Sequence, residues 1–258
     1  MRISFACAGL APLFLHCFGR METPDRTAGA ELEYSVRREL GEFVIERSGR
    51  EPLRADDEGG LLFAFESDLT VELQALRPDL FFLHAGAVAT RDGAVLLVGD
   101  SGAGKSTLTW SLVRDGLRYM SDELAPVSLD ACVHPYPRAL SLKELPPRPY
   151  EVPQGTLRTS RGHHVLVSEL GSDASPAPRR LSAIFFLEPG AVVPREPAVR
   201  PTGTAEAAAR LLANVLNPCS HPGDGLDAAL EIARSARSFE LRRAEHGPTS
   251  ELVRAMIT

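Results

Sequence analysis

The sequence predicts an α/β fold: a core with a mixed sheet, spanning residues 79–258, preceded by a smaller strand-rich subdomain over residues 1–78. Three observations carry this. Two strongly apolar runs, FFLHAGAVA and AVLLVG, are joined by Arg91-Asp92-Gly93, and an Asp-Gly pair between such runs signals a hairpin of antiparallel neighbours. A glycine-rich turn then leads directly into a helical pattern over residues 105–114, which ends at Asp115-Gly116, where glycine supplies a left-handed cap. Before all this, the first eighty residues are dominated by period-two and turn signals. No stretch repeats and no composition break marks a linker.

Taken in order, MRISFACAGLAPLFLHCFGR loosely imitates a secretion signal, but Gly9, Pro12 and His16 interrupt its apolar run, and an opening strand is the better reading. Residues 34–40 and 43–46 read as short strands, with Ser48-Gly49 as a turn. Gly59-Gly60 precedes LLFAFE, read as a further strand, and Ser67 is placed to cap a helix over DLTVELQALR that Arg77-Pro78 ends. After the hairpin and its helix, LRYMS reads as a strand. A proline-rich loop region over residues 135–153 leads to HVLVSEL, and residues 171–180 read as a surface loop. RRLSAIFFLEPG is a buried strand ended by Pro189-Gly190. Helices over residues 204–216 and 226–238 precede a last strand, SFELRRA.

Composition narrows the function. At 258 residues the chain is long enough for one large domain with an appendage, at about 150 residues per domain. Its hydrophobic share of 44% and charged share of 24% are those of an ordinary globular protein, which excludes disordered and fibrous classes. A net charge of −6 supplies no cationic field for a polyanion, so nucleic acid is not the expected partner. Nothing approaches the 18 or so apolar residues of a membrane span. Cys7, Cys17, Cys132 and Cys219 lie far apart with no CxxC pair, which reads as reduced, half-buried thiols in a cytoplasmic protein without a structural metal. Only Lys105 and Lys143 among the 28 basic residues are lysines.

The chemistry lies in Gly99-Asp100-Ser101-Gly102-Ala103-Gly104-Lys105-Ser106, which matches G-x-x-x-x-G-K-[ST] between an apolar strand and a helix. Chance matches to this pattern are expected on the order of 0.001 times in a chain of this composition. Its glycines let successive N–H groups point into one concavity, and the helix N-terminus, where Thr107 follows, adds partial positive charge for phosphate oxygens. Lys105 reaches the β and γ phosphates of ATP, and the Ser106 hydroxyl is a ligand for Mg²⁺. Phosphoryl transfer further requires a carboxylate beside the loop. Asp122-Glu123 ends the strand LRYMS soon after Lys105 and returns to the same end of the sheet. Glu188, at the end of LSAIFFL, imitates a second such acid but reads better as a plain strand-end carboxylate.

The stretch LHAGAVATRDGAVLLVGDSGAGKSTLTWSLVRDGLRYMSDELAPV, about 45 residues, resembles the catalytic core of the HPr kinase/phosphorylase family, whose P-loop fold is related to that of ATP-dependent phosphoenolpyruvate carboxykinase. The resemblance places His84, the GDSGAGKS loop and Asp122-Glu123 around the transferred phosphoryl group. It implies that one acid accepts a proton from a serine hydroxyl, that the other helps to hold Mg²⁺, and that the histidine stands close to the phosphate. Asp122 is assigned as base and Glu123 as the metal-side acid. The family's usual pair is Asp-Asp, so Glu123 is a departure, and neighbouring carboxylates titrate as a pair. A later family signature is missing, with PYPRALSLK in its place, so no site for the carrier protein HPr is recognisable. The chain is similar instead to HPr-kinase-related proteins found beside peptide natural-product genes, including kinases of lasso precursor peptides.

Read alone, His84 is a core histidine on an apolar strand; beside a strand that feeds the loop, its side chain falls at the phosphate end. Arg138 and Lys143 read either as surface charges or as loop cations that clamp phosphate or an acidic peptide. Arg158, Arg161 and His163-His164 form a mildly basic loop that either touches substrate or is solvated, the latter reading being preferred. The expected function is an ATP- and Mg²⁺-dependent kinase acting on a hydroxyl of a peptide, a protein or a small molecule, with homo-oligomers left open. The rival is a module that grips a nucleotide without transferring phosphate.

Overall fold

The structure, a computed structural model, describes residues 1–7, 9–22, 29–146, 150–171, 173–188 and 194–257. Its N-terminal part contains β1 (Arg2–Phe5), α1 (Ala11–Phe18), β2 (Glu33–Glu39), β3 (Glu42–Arg47), β4 (Leu53–Ala55) and α2 (Glu58–Leu76). The four strands form one sheet in chain order, β1 parallel to β2 and the others antiparallel. Phe65 of α2 is its centre, meeting Phe14 and Phe18 of α1 and Tyr34 of β2 at centroid distances of 4.9, 5.2 and 5.0 Å. Such tilted aromatic pairs add to the area each ring buries.

Two expectations for this part are corrected. LLFAFE is no strand, and Ser67 caps nothing: both lie inside α2, a single helix whose N-cap is Asp57, Oδ1 accepting from the Gly60 N–H at 2.7 Å. Buried Leu61, Leu62, Phe65 and Leu69 recur at helical spacing, so the core-facing stripe outweighs the glycine pair, which falls harmlessly in the first turn. Ser67 Oγ donates to the Phe63 carbonyl at 2.8 Å instead. The opening is a strand only as far as Phe5; α1 follows, with Pro12 tolerated in its first turn.

The remainder contains β5 (Leu80–Leu83), β6 (Ala85–Ala89), β7 (Ala94–Val98), α3 (Lys105–Arg114), β8 (Arg118–Ser121), β9 (Ala125–Ser128), β10 (Cys132–Val133), β11 (Leu140–Leu142), β12 (Leu157–Thr159), β13 (Gly162–Val165), β14 (Arg179–Leu187), β15 (Ala198–Pro201), α4 (Thr204–Leu212), α5 (Leu226–Ser235), β16 (Arg237–Arg242) and α6 (His246–Ile257). The large sheet runs β5-β9-β10-β14-β7-β6-β8, with β16 pairing β14 and β15 pairing β16. It is mixed: β7, β14 and β16 are parallel, whereas β6 is antiparallel to both β7 and β8. The parallel centre is apolar on both faces, as sheets covered on two sides must be. Leu96 and Val98 pack towards Leu211 of α4 and Ile232 of α5, while Val95 and Leu97 pack towards Leu112 of α3 and Val253 of α6. The fold is therefore mixed α/β with helices on both faces.

The Asp-Gly hairpin joins β6 and β7 as expected, but His84 sits at the break between β5 and β6 rather than within one strand. The proline-rich region is not all loop: β11 lies in it, pairs with β13, and buries Leu140 and Leu142. The two late helices end earlier than expected, and a further helix, α6, follows the last expected strand with Pro248 in its first turn. The strand end at Pro189-Gly190 lies outside the described residues. The cysteines are free but not uniformly half-buried: Cys17 is buried and Cys7 and Cys219 are exposed. Among the described residues no helix is long and apolar enough to cross a membrane.

Candidate functional site

The glycine loop leaves β7 at Gly99 and enters α3 at Lys105. Gly102 and Gly104 take φ of +87° and +86°, a left-handed backbone that side chains rarely adopt. Gly104 is also the helix N-cap, and a Cβ there would collide with the Arg243 guanidinium. Lys105 is 6% exposed, and its ammonium donates to the Gly99 and Asp100 carbonyls at 2.6 and 3.1 Å. Burial holds its pKa below the usual lysine value, against the pull of Glu123 and Asp100. Lys143 Nζ donates to Ser101 Oγ at 2.7 Å, which ties the segment after β11 to the loop.

β8 delivers the acid corner beside the loop, and Ser121 Oγ donates to the Leu124 carbonyl at 2.5 Å to make the turn. Asp122 is buried, with both oxygens engaged: Oδ1 accepts from the Tyr119 hydroxyl at 3.1 Å and Oδ2 from the Ser141 N–H at 2.9 Å. Burial raises its pKa, more than Arg138 lowers it. Glu123 stands half exposed and receives a hydrogen bond from Arg138 Nη2. His84 is pushed below the usual histidine range by burial and then by the Lys105 charge, so it is neutral at pH 7.

Arg138 is not a surface cation. It is 2% exposed and sits among three carboxylates: Nε against Glu66, and Nη2 against Glu123 and, at 3.5 Å, Asp122. Its Nη1 donates to Ser141 Oγ at 2.9 Å, and the same hydroxyl pairs with His164 Nδ1 at 2.9 Å. His164 is buried as well, which corrects the solvated reading for this residue while Arg158 and Arg161 are exposed; burial, then Arg138 and His16, lower its pKa to about 4. Glu66 comes from α2, and burial pushes it up to about 7, with Glu123 and Asp122 adding to the rise and Arg138 opposing it. Sequence reasoning missed Glu66 and Ser141, and weighed His164 only as part of a basic loop. A correct helical reading of residues 58–76 would have placed Glu66 beside Phe65, but not at this site.

One cleft of about 680 Å³ brings these groups together. His84, the loop from Ser101 to Thr107 except buried Ala103, Asp122 and Glu123 line it, joined by Glu66, Ser141 and Lys143. Arg161, exposed and stacked over Phe63 at 4.4 Å, closes one wall with α2. Glu188 is not among them: at the end of β14 it hydrogen-bonds Glu240, near Arg242 and Arg210. Among the described residues no group of three or more His, Cys, Asp or Glu side chains is arranged to hold a metal by itself.

No family model and no curated protein matches the chain. Among solved structures it is similar to the Hpr(Ser) kinase/phosphatase from Coxiella burnetii at 16% identity and a TM-score of 0.36, over 68% of this chain and 95% of that one, a likeness too slight to carry an argument.

Proposed function

We propose that this chain is an ATP- and Mg²⁺-dependent kinase that passes the γ-phosphoryl group to a hydroxyl, that of a serine in a peptide or protein. The observation that carries the reading is the junction of a G-x-x-x-x-G-K-[ST] loop in left-handed geometry with a buried acid corner in one cleft. Gly99 to Thr107 fit a polyphosphate through their N–H groups and the start of α3. Lys105 exchanges the carbonyls of Gly99 and Asp100 for β and γ oxygens. Ser106, Glu123 and Asp122 would hold Mg²⁺ on the metal side, and the ion would supply neutralisation of the phosphate charge. Neutral His84 stands at the phosphate end without adding repulsion or charge.

A second reading, a module that binds a nucleotide without transferring phosphate, draws on the fully engaged oxygens of Asp122. Incubation with γ-labelled ATP, Mg²⁺ and a panel of seryl peptides and small hydroxyl compounds separates the two. Labelled acceptor, abolished by Lys105→Ala and by Asp122→Asn, is the expected result. Tight ATP binding without transfer to any acceptor favours the second reading, and transfer that persists in both variants overturns the proposed mechanism.

A further inference from the structure

We infer that Glu66, carried into the cleft by α2, accepts the proton of the attacking hydroxyl; this rests on the kinase reading and takes that single role from Asp122. A general base must present a free lone pair at hydrogen-bond distance from the hydroxyl, about 2.6–3.2 Å. Asp122 is poorly placed to receive an incoming hydroxyl: its side chain is 0% exposed, and each oxygen already accepts a hydrogen bond, from Tyr119 and from Ser141, with Arg138 beside them. Glu123 is half exposed and turned to Arg138, which suits the metal side. Glu66 touches Arg138 at Nε only, keeps a quarter of its side chain open, and lines the cleft with Lys105 and Ser106.

A counter-ion role alone does not explain Glu66, because Asp122 and Glu123 already face the one guanidinium. The third carboxylate is surplus negative charge in a buried place, and such a group gains proton affinity. Lys105, Lys143 and Arg161 share the cleft, whereas the groups on its buried side are neutral: burial pushes the Cys17 thiol of α1 up to about 12 and raises the phenols of Tyr119 and Tyr136. Glu66 therefore titrates at about 7, where a base works best.

In the step, the acceptor O–H bond breaks and its proton goes to a Glu66 carboxylate oxygen. The freed electron pair forms the bond from acceptor oxygen to γ phosphorus, and the bond from γ phosphorus to the β–γ bridging oxygen breaks with its pair, leaving ADP. Glu66 then returns its proton to water through the open side of the cleft.

Initial rates with γ-labelled MgATP and a labelled seryl peptide, from about pH 5.5 to about pH 8.5, test this beside calorimetric ATP binding in wild type and Glu66→Gln. The wild-type rate should fall about tenfold per pH unit below about pH 7, and the Gln variant should be slower by about 100-fold or more, without that limb and with unchanged ATP affinity. A wild-type profile flat through neutrality, or a Gln variant that keeps the limb or the rate, overturns the assignment. If thermal melting shows the Gln variant unfolded, Glu66→Asp and the wild-type limb decide the matter. Wild-type protein that neither binds ATP nor transfers phosphate defeats the kinase reading itself, whereas transfer unaltered by Glu66→Gln defeats only this inference.

Discussion

Arg138 and Asp122 face each other with 3.5 Å between Nη2 and Oδ1, both almost wholly withdrawn from water. Neither charge is tolerable there alone, since a buried ion without its partner loses hydration and gains nothing in exchange. Arg138→Met should therefore lower the unfolding free energy by about 3–5 kcal/mol, read by urea denaturation at neutral pH. Arg138→Lys should recover only part, because an ammonium does not span Glu66, Glu123 and Ser141 at once. A loss of under about 1 kcal/mol for the Met variant would mean that the carboxylates are hydrated in solution.

Gly86 is the point at which β6 lets α3 come close. A Cβ there would stand 2.5 Å from Thr109 Oγ1, a buried hydroxyl with no hydrogen-bond partner among the described residues. Gly86→Ala should cost about 1–3 kcal/mol through overpacking. Thr109→Ala vacates the space, so the double variant should regain most of that loss, a non-additivity measurable in a double-mutant cycle. Simple addition of the two single effects would place the strain elsewhere.

Two buried groups in the cleft make opposite demands as pH changes. The unfolded chain binds a proton on His164 below about 6.5 that the folded chain refuses until about 4, so this contribution to stability is lost as pH falls. The folded chain holds a proton on Glu66 up to about 7 that the unfolded chain releases near 4.5, so this contribution is lost as pH rises. Between about pH 4.5 and 6.5 the slopes, each at most about 1.4 kcal/mol per pH unit, cancel. Glu66→Gln removes one of them. Its stability relative to wild type should climb with pH across that window, as followed by urea denaturation at several pH values; parallel curves would refute the Glu66 shift.

The glycine loop, its helix and the Asp-Gly hairpin were legible because each is a local matter of backbone freedom, turn chemistry and periodic apolar residues. Asp122-Glu123 was legible for a related reason: α3 and β8 follow the loop directly and must return to the same sheet end. LLFAFE was misread because a short apolar run carries no period of its own, and only packing of Phe65 against Phe14, Phe18 and Tyr34 decides for helix. The sequence by itself thus determined the α/β class, the glycine-rich loop before α3 and the acids nearest to it. Only the tertiary structure decided that Arg138 is buried, that α2 brings Glu66 to the same cleft, and that Ser141 and His164 join them. The reason is that a carboxyl's affinity for a proton depends on which charges and how much water surround it, and those neighbours come from segments far apart along the chain.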